Sequence, residues 1–221
     1  MDIKLTPVLI YRWIVFLLAG GYSLYQIFTS DYTYPGGPFR FLTIWALLLS
    51  FFCASRMLAI TERRSTRDWA PVVGATAVLN AMVVLLYWRL YFIDPSLVNS
   101  NKEPVWHQEY YLHLIGPILQ WIDMLFIWRG FRRYVPAAGV LVSVTIIYIL
   151  WTELILQNIG DRPLGTATSG LPYPFLNDME MGARLVYYGS NVAVALVMLA
   201  LFWGLAVAAR RLFRGPALAG E

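Results

Sequence analysis

Val192-Ala193-Val194-Ala195-Leu196-Val197-Met198-Leu199-Ala200-Leu201-Phe202-Trp203-Gly204-Leu205-Ala206-Val207-Ala208-Ala209 runs without one polar side chain. As a helix rising about 1.5 Å per residue, it covers most of the ~30 Å hydrocarbon core of a bilayer. Lipid offers no partners for backbone N–H and C=O groups, so a crossing segment must satisfy them internally. Outward from this stretch, the same reading gives six spans in all, at residues 8–28, 39–60, 70–93, 110–128, 136–156 and 182–209. None shows the two-residue alternation of a transmembrane barrel. The predicted fold class is all-α, a polytopic membrane protein with one membrane domain over residues 1–221 and six transmembrane helices.

Composition excludes the soluble alternatives. Of 221 residues, 59% are hydrophobic and only 14% charged, with a mean hydropathy of +0.58, more apolar sequence than a soluble core absorbs. The net charge of +4 and pI near 9.2 do not point to nucleic acid, because the arginines stand in short clusters between apolar runs. A single cysteine, Cys53, precludes an intrachain disulfide, and two histidines, His107 and His113, make a multi-histidine metal site implausible; no cofactor is expected. The first span exceeds a signal-peptide core in length and is read as retained.

Basic residues set the orientation. Arg63, Arg64 and Arg67 follow the second span, Arg129, Arg132 and Arg133 the fourth, and Arg210, Arg211 and Arg214 the sixth, while Lys4 precedes the first. The opposite side holds mainly Arg40, Lys102 and Arg162, so both termini are expected in the cytoplasm, in a bacterial inner membrane or in an endomembrane or plasma membrane. The outer connections are the long ones: 29–38 with Tyr34-Pro35-Gly36-Gly37-Pro38, 94–109, and 157–181 with Leu171-Pro172-Tyr173-Pro174-Phe175-Leu176. The inner 129–135 is a bare hairpin, so the functional face is expected outward.

Polar side chains inside spans are costly and mark either function or a structural bond. Arg12, Arg56 and Asp123 lie toward the cytoplasmic ends, where a structural pair between Asp123 and one of the arginines is expected; Asn80, in mid-span, suits an interhelical hydrogen bond. In the outer leaflet, Thr43 and His113 each fall about four residues, ~6 Å, inside their spans. Arg89, Glu153 and Arg184, and more deeply Asn191, come near the same level and are candidates for substrate binding or oxyanion stabilisation. Two plainer readings stand beside these: Thr43 returning its hydroxyl to a carbonyl one turn back, and Arg89 paired with Glu153 to fix helix packing. Thr43 and His113 together hold the minimum for nucleophilic catalysis, a hydroxyl and a base to take its proton. No G-x-S-x-G, P-loop or H-E-x-x-H motif offers a competing chemistry.

The chain resembles the androgen-induced gene family of multi-span proteins. The resemblance rests on collinear patches along nearly its whole length: Gly36-Gly37-Pro38-Phe39-Arg40-Phe41-Leu42-Thr43, Thr66-Arg67-Asp68-Trp69, Tyr148-Ile149-Leu150-Trp151, Tyr173-Pro174-Phe175-Leu176 and Gly182-Ala183-Arg184. It implies a transmembrane threonine hydrolase that cleaves fatty acid esters of hydroxy fatty acids, with Thr43 as nucleophile and His113, early in the fourth span, as base. Where relatives carry a His-x-x-His pair, this chain reads Tyr110-Tyr111-Leu112-His113.

The expected function is therefore intramembrane hydrolysis of a lipid ester through an acyl-threonine, with the lipid drawn from the bilayer. The alternative is a non-catalytic subunit, or a lipid-binding protein, whose aromatic helices pack in a larger assembly; the 16% aromatic content and the missing first histidine favour it. A transporter would need polar residues through the full depth, and only Asn80 is central.

Overall fold

Each apolar run closes into one long helix that ends at a cap, a proline or a charge. The computed structural model describes residues 6–67, 69–99, 104–159 and 170–213. Helix α1 is Pro7–Thr29, opened by the Thr6 hydroxyl accepting from the Leu9 N–H at 3.2 Å, with proline at the first helical position. Helices α2 (Leu42–Thr61), α3 (Ala70–Ile93), α4 (Trp106–Trp128), α5 (Tyr134–Ile159) and α6 (Met181–Leu212) follow. All six are long and apolar enough to cross a membrane, and the described residues contain no strand.

Two boundaries differ from the sequence reading in ways that matter. Residues Gly37–Arg40 form a separate 3-10 turn, so α2 starts at Leu42 rather than at residue 39, and Thr43 is its second residue. Helix α4 starts at Trp106 rather than at 110, because the polar Trp106-His107-Gln108-Glu109 stretch is already helical. His113 is thus two turns into its helix, while Thr43 stands at the mouth of its own.

Helix α3 is the hub. Its membrane-length stretch is 72% buried, against 22% for α1, α5 and α6, and it packs against α2, α4, α5 and α6. Its Gly74 lets Phe131 of the α4–α5 connection approach so closely that an added Cβ would lie 2.5 Å from the ring. The hub core joins Val73, Ala77 and Val78 of α3 to Met124, Leu141 and Leu199 of three other helices. Topology gathers Arg63, Arg64, Arg67, Arg129, Arg132, Arg133, Arg210 and Arg211 at one end of the bundle. Arg40 lies at the other end; Lys4, Lys102, Arg162 and Arg214, and Asp68 of the second family patch, fall outside the described residues.

Three segments wind in the wider π geometry: Tyr111–Ile115 and Asp123–Trp128 within α4, and Trp151–Leu156 within α5. The first holds the buried His113 and Tyr111, the second the buried Asp123 and the third the buried Glu153. Such segments often accompany functional positions in helices.

Candidate active site

The start of α2 is fixed by the turn before it. Gly36 and Gly37 take positive φ values of 77° and 49°, and a Cβ on them would meet Leu156 at 2.4 Å and Tyr32 at 2.7 Å, so glycine is required at both. Two indole N–H groups, from Trp45 at 2.9 Å and Trp151 at 3.1 Å, donate to the Phe39 carbonyl. The Tyr148 hydroxyl donates to the Arg40 carbonyl at 2.9 Å, and the Arg40 Nη2 donates to the Leu171 carbonyl at 3.4 Å. Burial pushes the Arg40 guanidinium below its ordinary value, an effect opposed by the neighbouring Tyr148 and Tyr34. These bonds pin the last residues before α2 to α5 and to the 170–177 segment, and so fix where Thr43 stands.

From that position the Thr43 Oγ1 lies 3.5 Å from Nε2 of His113 on α4. The imidazole is held on one face and at Nδ1, and the residue's backbone is bonded too. Tyr87 of α3 stacks on it with ring centroids 3.6 Å apart and planes within 5°. Trp88 donates its indole N–H to the His113 carbonyl at 2.9 Å. Nδ1 faces two acceptors, the Glu109 carbonyl at 3.1 Å and the Glu109 carboxylate at 3.2 Å. Two acceptors at Nδ1 place the proton of the neutral ring there, which leaves the Nε2 lone pair pointing at the Thr43 hydroxyl. His113 and Glu109 are nearly buried, with side chains 8% and 12% exposed.

Thr43, His113 and Glu109 line one cavity of about 410 Å³. Its walls include Leu42, Ile44, Val83 and Leu86, and its far end is made by loop residues such as Asp31, Pro104 and Pro172. The volume lies within the range of small-molecule sites, and beside the apolar wall Gln26, Asp31, Arg40 and Gln108 also line it.

The other expected site residues sort into three groups. Arg184 donates to Glu153 through Nε at 3.0 Å and Nη2 at 3.1 Å, and Tyr188 donates to the same carboxylate at 2.7 Å. This closed cluster on α5 and α6 does not line the cavity, and neither does Asn191, whose Nδ2 donates to the Tyr187 carbonyl at 2.8 Å. Arg89 is exposed, so the partner of Glu153 is Arg184 rather than Arg89. At the other end, Arg12 holds Asp123 in a two-pronged pair, Nε at 2.9 Å and Nη2 at 2.7 Å, while Arg56 donates to Ser55 instead. Asn80, in mid-bundle, donates to Ser50 at 2.8 Å and also to Gln120. Sequence reasoning missed Glu109, although its spacing of four residues from His113 puts the two on one helix face.

A buried His113 between the partly buried Thr43 and Glu109, all three lining one cavity within six membrane-length helices, defines a polytopic helical membrane protein with an internal polar site. The chain matches the FAR-17a/AIG1-like protein family over residues 8–201 and belongs to that family. Neither a curated protein nor a solved structure matches it.

Proposed function

We propose that the protein is an intramembrane hydrolase of lipid carboxylic esters, with Thr43 as nucleophile, His113 as base and Glu109 positioning the imidazole. The observation that carries this reading is the placement of the two ring nitrogens of His113, Nδ1 against the Glu109 carbonyl and carboxylate and Nε2 against the Thr43 hydroxyl. The 3.5 Å separation suits a resting site, since catalytic hydrogen bonds tighten when substrate binds. Thr43 Oγ attacks the ester carbonyl while Nε2 takes its proton; the tetrahedral oxyanion collapses, and His113 protonates the departing alcohol. With Arg184 and Asn191 elsewhere, and the Ile44 N–H already given to the Phe41 carbonyl at 3.0 Å, the backbone N–H of Thr43 itself is the donor offered to the oxyanion. The family resemblance suggests fatty acid esters of hydroxy fatty acids, and the apolar walls suit their chains. A lipid would slide in between helices from the outer leaflet, the cavity end being the outer one by the placement of the arginines.

A fluorophosphonate probe on purified protein tests the reading. Labelling should map to Thr43, vanish in Thr43→Ala and fall strongly in His113→Ala. Equal labelling of all three, or none in folded wild type, would favour a lipid-binding or subunit role without catalysis.

A further inference from the structure

A second, narrower space lies on the other side of Thr43. It is a crevice of about 30 Å³ between α1, α2, α3 and α4, and Thr43 and Leu112 belong to its wall as well as to the larger cavity. Thr43, Leu47, Ser50, Ala54 and Met57 line it at successive spacings of four, three, four and three, one face of α2 over about 21 Å of helix rise. Asp123 lines its far end.

Half-way along stands a belt of three polar side chains, Ser50, Asn80 and Gln120. Asn80 gives its amide hydrogens to Ser50 and Gln120, and Ser50 donates to the Ala46 carbonyl at 2.7 Å. Gln120 is only 6% exposed, and its Nε2 has no hydrogen-bond partner among the described residues. A buried amide nitrogen left bare costs on the order of 1–3 kcal/mol, and the belt supplies the two to four polar contacts that a buried water needs. The crevice has room for about two waters.

We propose that this crevice is a water site, centred on Gln120, that supplies the water for cleavage of the acyl-threonine. The proposal rests on the hydrolase reading of Thr43. While a lipid fills the 410 Å³ cavity, water from that side is displaced, and the crevice reaches Thr43 from behind. A water passing Leu47 attacks the acyl carbonyl and gives its proton to Nε2 of His113. The C–O bond to Thr43 then breaks, His113 returns the proton to Oγ, and the free fatty acid leaves. Gln120 is a positioning residue in this scheme, because it touches the water in store and not the acyl group.

The test uses p-nitrophenyl laurate with the purified full chain, following p-nitrophenol release and, after acid quench, the acyl adduct on Thr43 by mass spectrometry. In Gln120→Leu the adduct should form at the wild-type rate and decay at least tenfold more slowly, so that it accumulates. Gln120→Met, which keeps the side chain's length, replaces it if the leucine variant fails to fold. An unchanged decay rate, or formation and decay falling together at an unchanged melting temperature, would overturn the water site while leaving the hydrolase intact. No p-nitrophenol release by wild type, together with no adduct on Thr43 in either protein, would instead overturn the hydrolase reading itself.

Discussion

The two ends of α4 hold buried titratable groups in opposite states. At one end Asp123 is bound through both oxygens by Arg12, which also donates to the Met57 carbonyl at 3.1 Å and to the Thr61 hydroxyl at 2.5 Å. Nothing there is left to react, and Arg12 is only 2% exposed. At the other end the imidazole is equally fixed on its Glu109 side, yet its second nitrogen faces a hydroxyl at long range across the floor of a cavity. A polar group in a membrane helix is thus informative for the valence it leaves unused. The Arg184–Glu153–Tyr188 cluster follows the Asp123 pattern, and its saturation marks it as a fastening between α5 and α6.

That contrast can be broken in three places. Asp123→Ala strips the counter-charge from a buried guanidinium, and by analogy with other buried pairs it should cost about 3–5 kcal/mol. Thermal unfolding in detergent would show it as a large fall in melting temperature, while ester hydrolysis per folded molecule should stay near wild type; a loss of activity without a loss of stability would erase the distinction. Glu109→Ala should do the reverse, lowering kcat by about 10- to 100-fold, by analogy with carboxylates that orient metal-bound histidines, with a small change in melting temperature. Glu109→Gln, which still offers an oxygen to Nδ1–H, should recover part of that loss, and equal defects in the two variants would deny Glu109 its positioning role. Arg89→Ala, at an exposed side chain away from both clusters, should shift stability by no more than about 0.5 kcal/mol and leave turnover unchanged. A clear drop in activity would show that the cavity extends to a face where the structure puts none.

Much of the fold was legible because a bilayer demands it: a run such as 192–209 has few alternatives to a helix, and all six spans were readable from apolar length. Their ends were less so. Trp106-His107-Gln108-Glu109 reads as polar loop, but at a membrane boundary the apolar helix below can extend through it, and the depth of His113 shifts accordingly. For the site, counting along helices gives a level but not the side of α3 on which a residue falls. Thr43 and His113 share both, whereas Arg184, Glu153 and Asn191 share only the level. A pair between Asp123 and one of Arg12 and Arg56, and an interhelical bond for Asn80, follow from the sequence because polar groups within a span have few partners; that Arg12 and not Arg56 faces Asp123 depends on helix packing. The π windings were not, since they arise from packing between helices and leave no pattern in the residue order.

The winding at Tyr111–Ile115 has an evolutionary reading. A π turn is an α-helix that has accommodated one surplus residue, and each residue turns the chain by about 100°. Because the surplus residue is absorbed inside the turn, the helix before it and the helix after it keep their faces, and excising one residue would let the turn close as ordinary α-helix. The lesion would fall on His113 within the turn, whose ring would be re-aimed away from Thr43 while Gln120 and Asp123 stayed in place.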